Sequence, residues 1–282
     1  MLGPKATRIA IRVLIHLIAI AAAFIWILPY MGVFMASIRP LKEIIKGWWN
    51  FEEFNPTLEN FIGAWNHPTV PLSKGMVNSL IVAVPATFIP LLVGALAAYA
   101  FSRFEFPVKD LLFLTIVLLM ALPPQAIGIP LFSLMVRLGL VDKFPGLILF
   151  HSANALPWII LFLRNYLETV PKDFEDVARV DGASDIQIFM KVVLPIMGPA
   201  LLSILALQFT WVWNDFFFAL ILIYSPEKYL ISQRVPFMKG EYHVPWGLLC
   251  AGSVIMTSVP VLLYVILQKY FIRGIVGGTI RG

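Results

Sequence analysis

The sequence predicts an all-α polytopic membrane protein with six transmembrane helices, and three observations predict it. The 282 residues are 60% hydrophobic and 13% charged, whereas soluble domains average about 45–50% apolar and about 25% charged residues. Long runs free of Asp, Glu, Lys and Arg recur along the chain, each able to cross about 30 Å of hydrocarbon at 1.5 Å per residue. Between two strongly apolar parts lies one long polar interruption, Glu175 to Pro195.

The formal charge of +5 is assigned to basic residues beside anionic lipid rather than to nucleic-acid binding. Cys250 is the only cysteine, which excludes a disulfide framework or a CxxC metal site, and no metal site is expected. The chain contains no Gly-Lys pair, so it has no phosphate loop of the GxxxxGK[ST] type. Any ATP that drives it binds to another chain.

The first span is expected over 13–38, preceded by Lys5, Arg8 and Arg12. A secretory signal shares the basic start, but its apolar region covers only about 7–15 residues, so this run reads as an uncleaved helix. Residues 39–75 form an external polar loop carrying Trp48, Trp49 and Trp65, with a short helix at the membrane interface, where a half-wet indole is favoured. The second span, 76–102, is interrupted by Pro85, Pro90 and Gly94; such breaks need partners for the freed backbone groups. The third, 111–136, is broken at Pro123, Pro124 and Pro130, with Gln125 a lone amide between them. The fourth, 144–163, carries His151, Ser152 and Asn154, which at that depth belong against a bundle interior or water. The fifth, 199–224, contains Gln208, Trp211, Trp213, Asn214 and Asp215. An ionised Asp at a helix centre costs roughly 2.5–3.5 kcal/mol, so Asp215 needs a cavity, a partner or the interface. The sixth span is 246–268, followed by a tail over 269–282 with Lys269, Arg273 and Arg281.

The loop over 168–197 reads as a helical hairpin. Asp173 with Asp176, and Ser184 with Gln187, are two helix-start signatures, and Gly182 lies where the first helix would stop. Phe174, Val177 and Ala178 share one face of the first helix, and Ile186, Phe189, Met190 and Val193 one face of the second. These faces are expected against the chain's own membrane helices, leaving Glu175, Asp176, Arg179, Asp181 and Gln187 outward.

Asp176, Val177 and Ala178, then Gly182, Val192, Leu194 and Pro195, stand at the spacing of the EAA loop of bacterial ABC importer permeases. The chain is similar to that family, with Asp176 in place of its Glu and Val177 in place of its first Ala. The segments Ala98 to Pro107, Ile129 to Asp142, Trp213-Asn214-Asp215 and Gln268 to Gly282 resemble its carbohydrate branch, the maltose-type inner membrane subunits. The resemblance implies a cytoplasmic coupling helix between spans 4 and 5, with Glu175, Asp176, Ala178, Arg179, Asp181, Gly182, Leu194 and Pro195 serving ATPase coupling. It implies a sugar pathway lined by Gln125, Asn154, Gln208, Trp211, Trp213, Asn214 and Asp215. The implied partners are a second permease subunit, usually a different chain, two ATP-binding subunits that hold ATP and Mg, an extracytoplasmic solute-binding protein, and lipid. No catalytic residue and no bound cofactor are implied.

Six spans put both termini on one side. The loops placed inside hold twelve of the 21 Lys and Arg, a modest preference for cytoplasmic termini in the cytoplasmic membrane. Two other readings stay open: a permease for a polyol or glycerol phosphate, and an ion-coupled secondary transporter. The latter would show two related halves with buried ionisable pairs, and no such repeat is visible.

Overall fold

The computed structural model describes residues 4–240 and 244–276, in helices and connecting loops. They divide into two compact units, Met1–Leu72 with Val235–Met256 and Ser73–Arg234 with Thr257–Gly282. Among the described residues four helices are long and apolar enough to cross a membrane: Ile11–Ser37, Leu72–Arg103, Phe144–Glu168 and Trp246–Lys269. Two bent pairs raise the number to six if each is one crossing.

In the first unit, α1 (Pro4–Ser37) exposes its large apolar side chains from Ile9 to Phe34, as a helix facing hydrocarbon or another chain does. After it come α2 (Leu41–Ile44) and α3 (Glu59–Trp65), joined by a loop built on buried charge. The Arg39 guanidinium is fully buried, lies over the Phe51 and Phe54 rings and donates to the Asn50 carbonyl at 2.6 Å. Buried Glu43 accepts from the Asn55 side chain at 2.9 Å and its backbone at 3.2 Å. The Asn55 side chain, ahead of the backbone bond and the Arg39 charge, holds this carboxyl below its usual range.

The second unit is a helix bundle. Its first helix, α4 (Leu72–Arg103), contains Pro85 and Pro90 without breaking. Proline lacks an N–H and so frees the carbonyl four residues earlier. For Pro90 that carbonyl is Ala86, and the Gln208 side-chain amide donates to it at 3.2 Å. Next, α5 (Lys109–Leu119) and α6 (Gly128–Arg137) are joined through a short 3-10 turn at Pro124–Ile127 and bend by 92°. The expected third span is therefore two helices, because Pro123 and Pro124 remove two consecutive donors. The fourth, α7 (Phe144–Glu168), runs five residues past its expected end.

The polar loop folds into α8 (Asp173–Val180) and α9 (Asp185–Ile188), then a π-helical turn, Phe189–Val193, and α10 (Leu194–Ile196). It leads at a bend of 73° into α11 (Gly198–Asn214). The expected fifth span is interrupted: α11 stops at Asp215, and α12 (Phe217–Leu222) follows. The Asp215 carboxylate accepts the backbone N–H groups of Phe218 at 3.3 Å and Ala219 at 3.0 Å. A short acidic side chain that offers its own acceptors to the next turn competes with helix continuation.

Two further helices, α13 (Ile231–Phe237) and α14 (Trp246–Val276), complete the order. The expected tail is thus helical to Val276, while Arg281 lies outside the described residues. In the bundle, one apolar core runs from Leu91, Ala95 and Ala98 of α4 through Ile159 and Leu163 of α7 to Ile204 of α11, and continues into Ile188, Phe189 and Val193 of the hairpin.

Candidate functional site

The hairpin is fastened by local rules at its turn and by packing at its root. Gly182 follows α8 at φ +83°, the left-handed conformation that side chains disfavour. Its N–H donates to the Arg179 carbonyl at 3.1 Å, and the N–H of Ala183 to Ala178 at 3.0 Å. Ser184 starts α9 with a complete capping box: its hydroxyl accepts from the Gln187 backbone, and the Gln187 side chain accepts from the Ser184 N–H at 2.9 Å. No such box opens α8, which begins after Lys172 with Asp173 already inside the first turn. Arg179 reaches Asp185 across the turn at 3.1 Å and Asp176 within α8 at 3.3 Å. The Asp185 hydrogen bond holds the Arg179 guanidinium above its ordinary pKa.

The hairpin follows the expected faces at Phe189 and Val193, which are buried, and at Asp176, Arg179, Asp181 and Gln187, which are exposed, but departs from them elsewhere. Phe174, Val177, Val180, Ile186 and Met190 point outward, 54 to 87% exposed, whereas Glu175 is buried. Two causes are visible. Arg103, at the end of α4, occupies the inner side and pairs with Glu175 at 2.7 Å, so the carboxylate is drawn in. The π-helical turn then keeps Phe189 and Val193 inside while rotating Met190 out. Asp176, Arg179, Asp181 and Pro195 are exposed, and Ala178 and Leu194 pack partly against the core. The outer surface is an apolar ridge edged by charge.

Two adjoining cavities of about 540 and 460 Å³ open where α11 breaks, sharing Pro124, Phe150, Asn154 and Trp211. The first is apolar, floored by Leu131, Met135, Pro157 and Trp158. The second gathers Gln125, Asn154, Gln208, Asn214 and Asp215 with His151. Six of the seven expected pathway residues thus meet at one place. Trp213 does not: it is 1% exposed and stacked on Phe209. Trp211 is 66% exposed and meets Trp158 edge-on at 5.6 Å. The Gln208 amide is already engaged by Ala86. His151 stands with its Nε2 3.4 Å from the Asp215 carboxylate, within ion-pair reach but not aligned as a hydrogen bond. Among the described residues no lysine or arginine lines either cavity. Among the described residues no cluster of His, Cys, Asp or Glu could hold a metal ion.

Sequence reasoning missed a second polar knot, at Asp142. Its carboxylate receives the Ser225 hydroxyl, the backbone N–H groups of Tyr224 at 3.1 Å and Ser225 at 3.0 Å, and Lys228 at 2.8 Å. Burial pushes this carboxyl up, but Lys228 and the Ser225 and Tyr224 donors outweigh it and hold it well below the usual carboxylate range. The strap from Tyr224 to Arg234 is tied also by Asn78, which donates to the carbonyls of Glu227 at 2.8 Å and Tyr229 at 3.1 Å. Buried Arg234 donates to Pro226 at 2.8 Å. Partners some 80 and 150 positions apart leave no spacing signal.

A helical bundle with several helices long and apolar enough to cross a membrane, a polar hairpin and a cavity at a broken helix suits a membrane transport component. Residues 91–277 match the model of the family described as binding-protein-dependent transport system inner membrane component, and the chain belongs to that family. A probable ABC transporter permease of Pyrococcus horikoshii is 51% identical, over 94% of this chain and 96% of its own length. The osmoprotective compounds uptake permease of Synechocystis sp. is 39% identical over 95% and 91%. The alpha-glucoside transport system permease of Rhizobium meliloti is 35% identical over 80% and 60%. A bacterial ABC transporter involved in the import of the acidic polysaccharide alginate superposes with a TM-score of 0.81 over 96% of this chain and 99% of that one, at 24% identity, and so shares the fold.

Proposed function

We propose that the chain is one of two permease subunits of an ATP-driven importer for a neutral sugar or a related carbohydrate. The observation that carries this reading is the hairpin, an apolar ridge presented outward from an anchored root. Exposed apolar side chains of this size on a polar loop mark a protein interface, and the partner that suits an importer is a pair of ATP-binding subunits. ATP and magnesium are held by those partners. A solute-binding protein delivers the sugar on the opposite side, and a second permease, a different chain, completes the pathway. In this arrangement the hairpin and both termini are cytoplasmic. Asp176, Arg179 and Asp181 edge the docking surface, Gly182 sets its turn, and Leu194 and Pro195 carry it into α11.

The cavity supports the solute class. A broad indole face at Trp211 suits the C–H face of a sugar ring, and amide and carboxylate groups at Asn154, Gln125 and Asp215 suit its hydroxyls. The alpha-glucoside relative points the same way. The relative named for uptake of osmoprotective compounds supports a second reading, an osmoprotective solute on the same groups. Glycerol phosphate is disfavoured, because an anion would meet Asp215 with no cation in the lining.

The test is ATP-dependent uptake by the complete transporter in proteoliposomes, with labelled neutral α-glucosides and labelled glycerol phosphate. Uptake of a glucoside, reduced at least several-fold by Trp211→Ala, is expected. Uptake of glycerol phosphate in preference to every neutral solute would overturn the sugar reading.

A further inference from the structure

The second unit contains one buried ion pair between distant segments that neither the solute cavity nor the docking ridge uses. Arg103 closes α4, and Glu175 lies in the first turns of α8, 72 positions later. Their side chains are 7% and 5% exposed, and Arg103 Nε meets Glu175 Oε1 at 2.7 Å. The remaining guanidinium nitrogens are used as well, Nη2 on the Val170 carbonyl and Nη1 on the Ser102 hydroxyl, both at 3.1 Å. One turn back on α4, buried Tyr99 packs its ring on Phe189 at 5.3 Å. The last turn of α4 therefore grips both limbs of the hairpin, α8 through charge and the π-helical limb through an aromatic contact.

We propose that the Arg103–Glu175 pair is a coupling joint that makes α4 move with the hairpin during the transport cycle. This rests on the reading of the hairpin as the ATPase dock. One covalent route from a displaced hairpin into the bundle leads back through residues 169–172 to α7, and the other leads onward through α10 into α11. The onward route passes a π-helical turn and a 73° bend, and both absorb displacement. The ion pair supplies a further, stiff route to α4, since a directional, dry contact between guanidinium and carboxylate holds its geometry better than apolar surfaces that slide. It delivers the displacement to α4, whose backbone at Ala86 is in turn held by Gln208 of α11 beside the cavity. Arg103 and Glu175 are positioning residues: they touch neither solute nor nucleotide.

The experiment uses the complete transporter in proteoliposomes and reads solute imported per ATP hydrolysed, with co-purification of the ATP-binding subunits as a separate readout. Glu175→Gln keeps the side-chain shape, Arg103→Gln shortens it, and each removes the charge pairing. A third variant, Arg103→Cys with Glu175→Cys in a Cys250→Ala background, is compared before and after a short thiol-to-thiol cross-linker. The joint predicts that the Gln variants retain their ATPase subunits while solute per ATP falls several-fold, and that cross-linking restores the ratio in the double-cysteine protein. A merely structural pair would change the yield of assembled complex and leave the ratio alone, which overturns the proposal. Loss of transport on cross-linking also overturns it, because α4 and α8 must then separate during the cycle. If no ATP-binding subunit accompanies even the wild-type chain, the docking reading itself fails and takes the joint with it.

Discussion

Single residues decide whether the two polar knots hold. At Gly182 an added Cβ would meet nothing within 4 Å, so the only obstacle to a side chain is φ +83°. A left-handed residue other than glycine costs about 1–2 kcal/mol, and a β-branched one is the least tolerant. Gly182→Val is therefore expected to shift the turn and uncouple ATP hydrolysis from uptake in an assembled transporter; normal uptake by such a complex would remove the argument for the turn. Asp142 makes a different prediction. Its folded carboxyl titrates below the unfolded value, so the stability it confers is present above the ordinary carboxylate range and is lost as pH falls through the folded value. Lys228, raised by its bond to Asp142, behaves oppositely: its contribution is complete below the unfolded lysine value and is lost as pH rises through the folded one. Both groups are thus charged across the neutral range. Asp142→Asn is expected to lower the melting temperature in detergent near neutral pH. The gap to wild type should narrow in strong acid, and a gap independent of pH would contradict the assignment.

At the scale of elements, the sequence showed where apolar helices lie and that the third run breaks at Pro123 and Pro124, but not that α4 stays continuous, that the fifth run stops at Asp215, or which apolar side chains of the hairpin face outward. Charge-free runs located the helices of α1, α4, α7 and α14 because length and apolarity alone specify them. Pro123 and Pro124 divided the third run into two helices, while Pro85 and Pro90 left α4 continuous. The difference lies in partners that no local pattern reveals: Gln208 of α11 takes the Ala86 carbonyl freed by Pro90. Gln208→Leu is expected to leave that carbonyl unpaired, at a cost of about 1–3 kcal/mol, seen as a lower melting temperature in detergent. An unchanged melt would mean that another donor fills the place. The hairpin misled for a related reason. The spacing of Phe174, Val177, Ile186 and Met190 fits an amphipathic helix whichever side is buried, and the choice was made by Arg103, far away in sequence. The gathering of Gln125, Asn154, Trp211, Asn214 and Asp215 around one cavity was legible residue by residue, since polar groups in apolar helices are costly without a shared cavity. Trp213 shows the limit: two residues from Trp211, it turns into the core.

For the molecule as a whole, function is divided between a dry apolar core that joins bundle and hairpin, a cavity at the break of α11, and an outward ridge that nothing in the described chain covers. The central claim is that this ridge receives an ATP-binding subunit. Its most direct test is affinity purification of the tagged chain in mild detergent, comparing wild type with Val177→Glu and Ile186→Glu and identifying co-eluting chains by mass. The account predicts that a phosphate-loop ATPase and a second permease accompany the wild type, and that either charged variant loses the ATPase while keeping the second permease. An ATPase retained undiminished by both variants, or a wild-type chain that elutes without any ATPase, would contradict it.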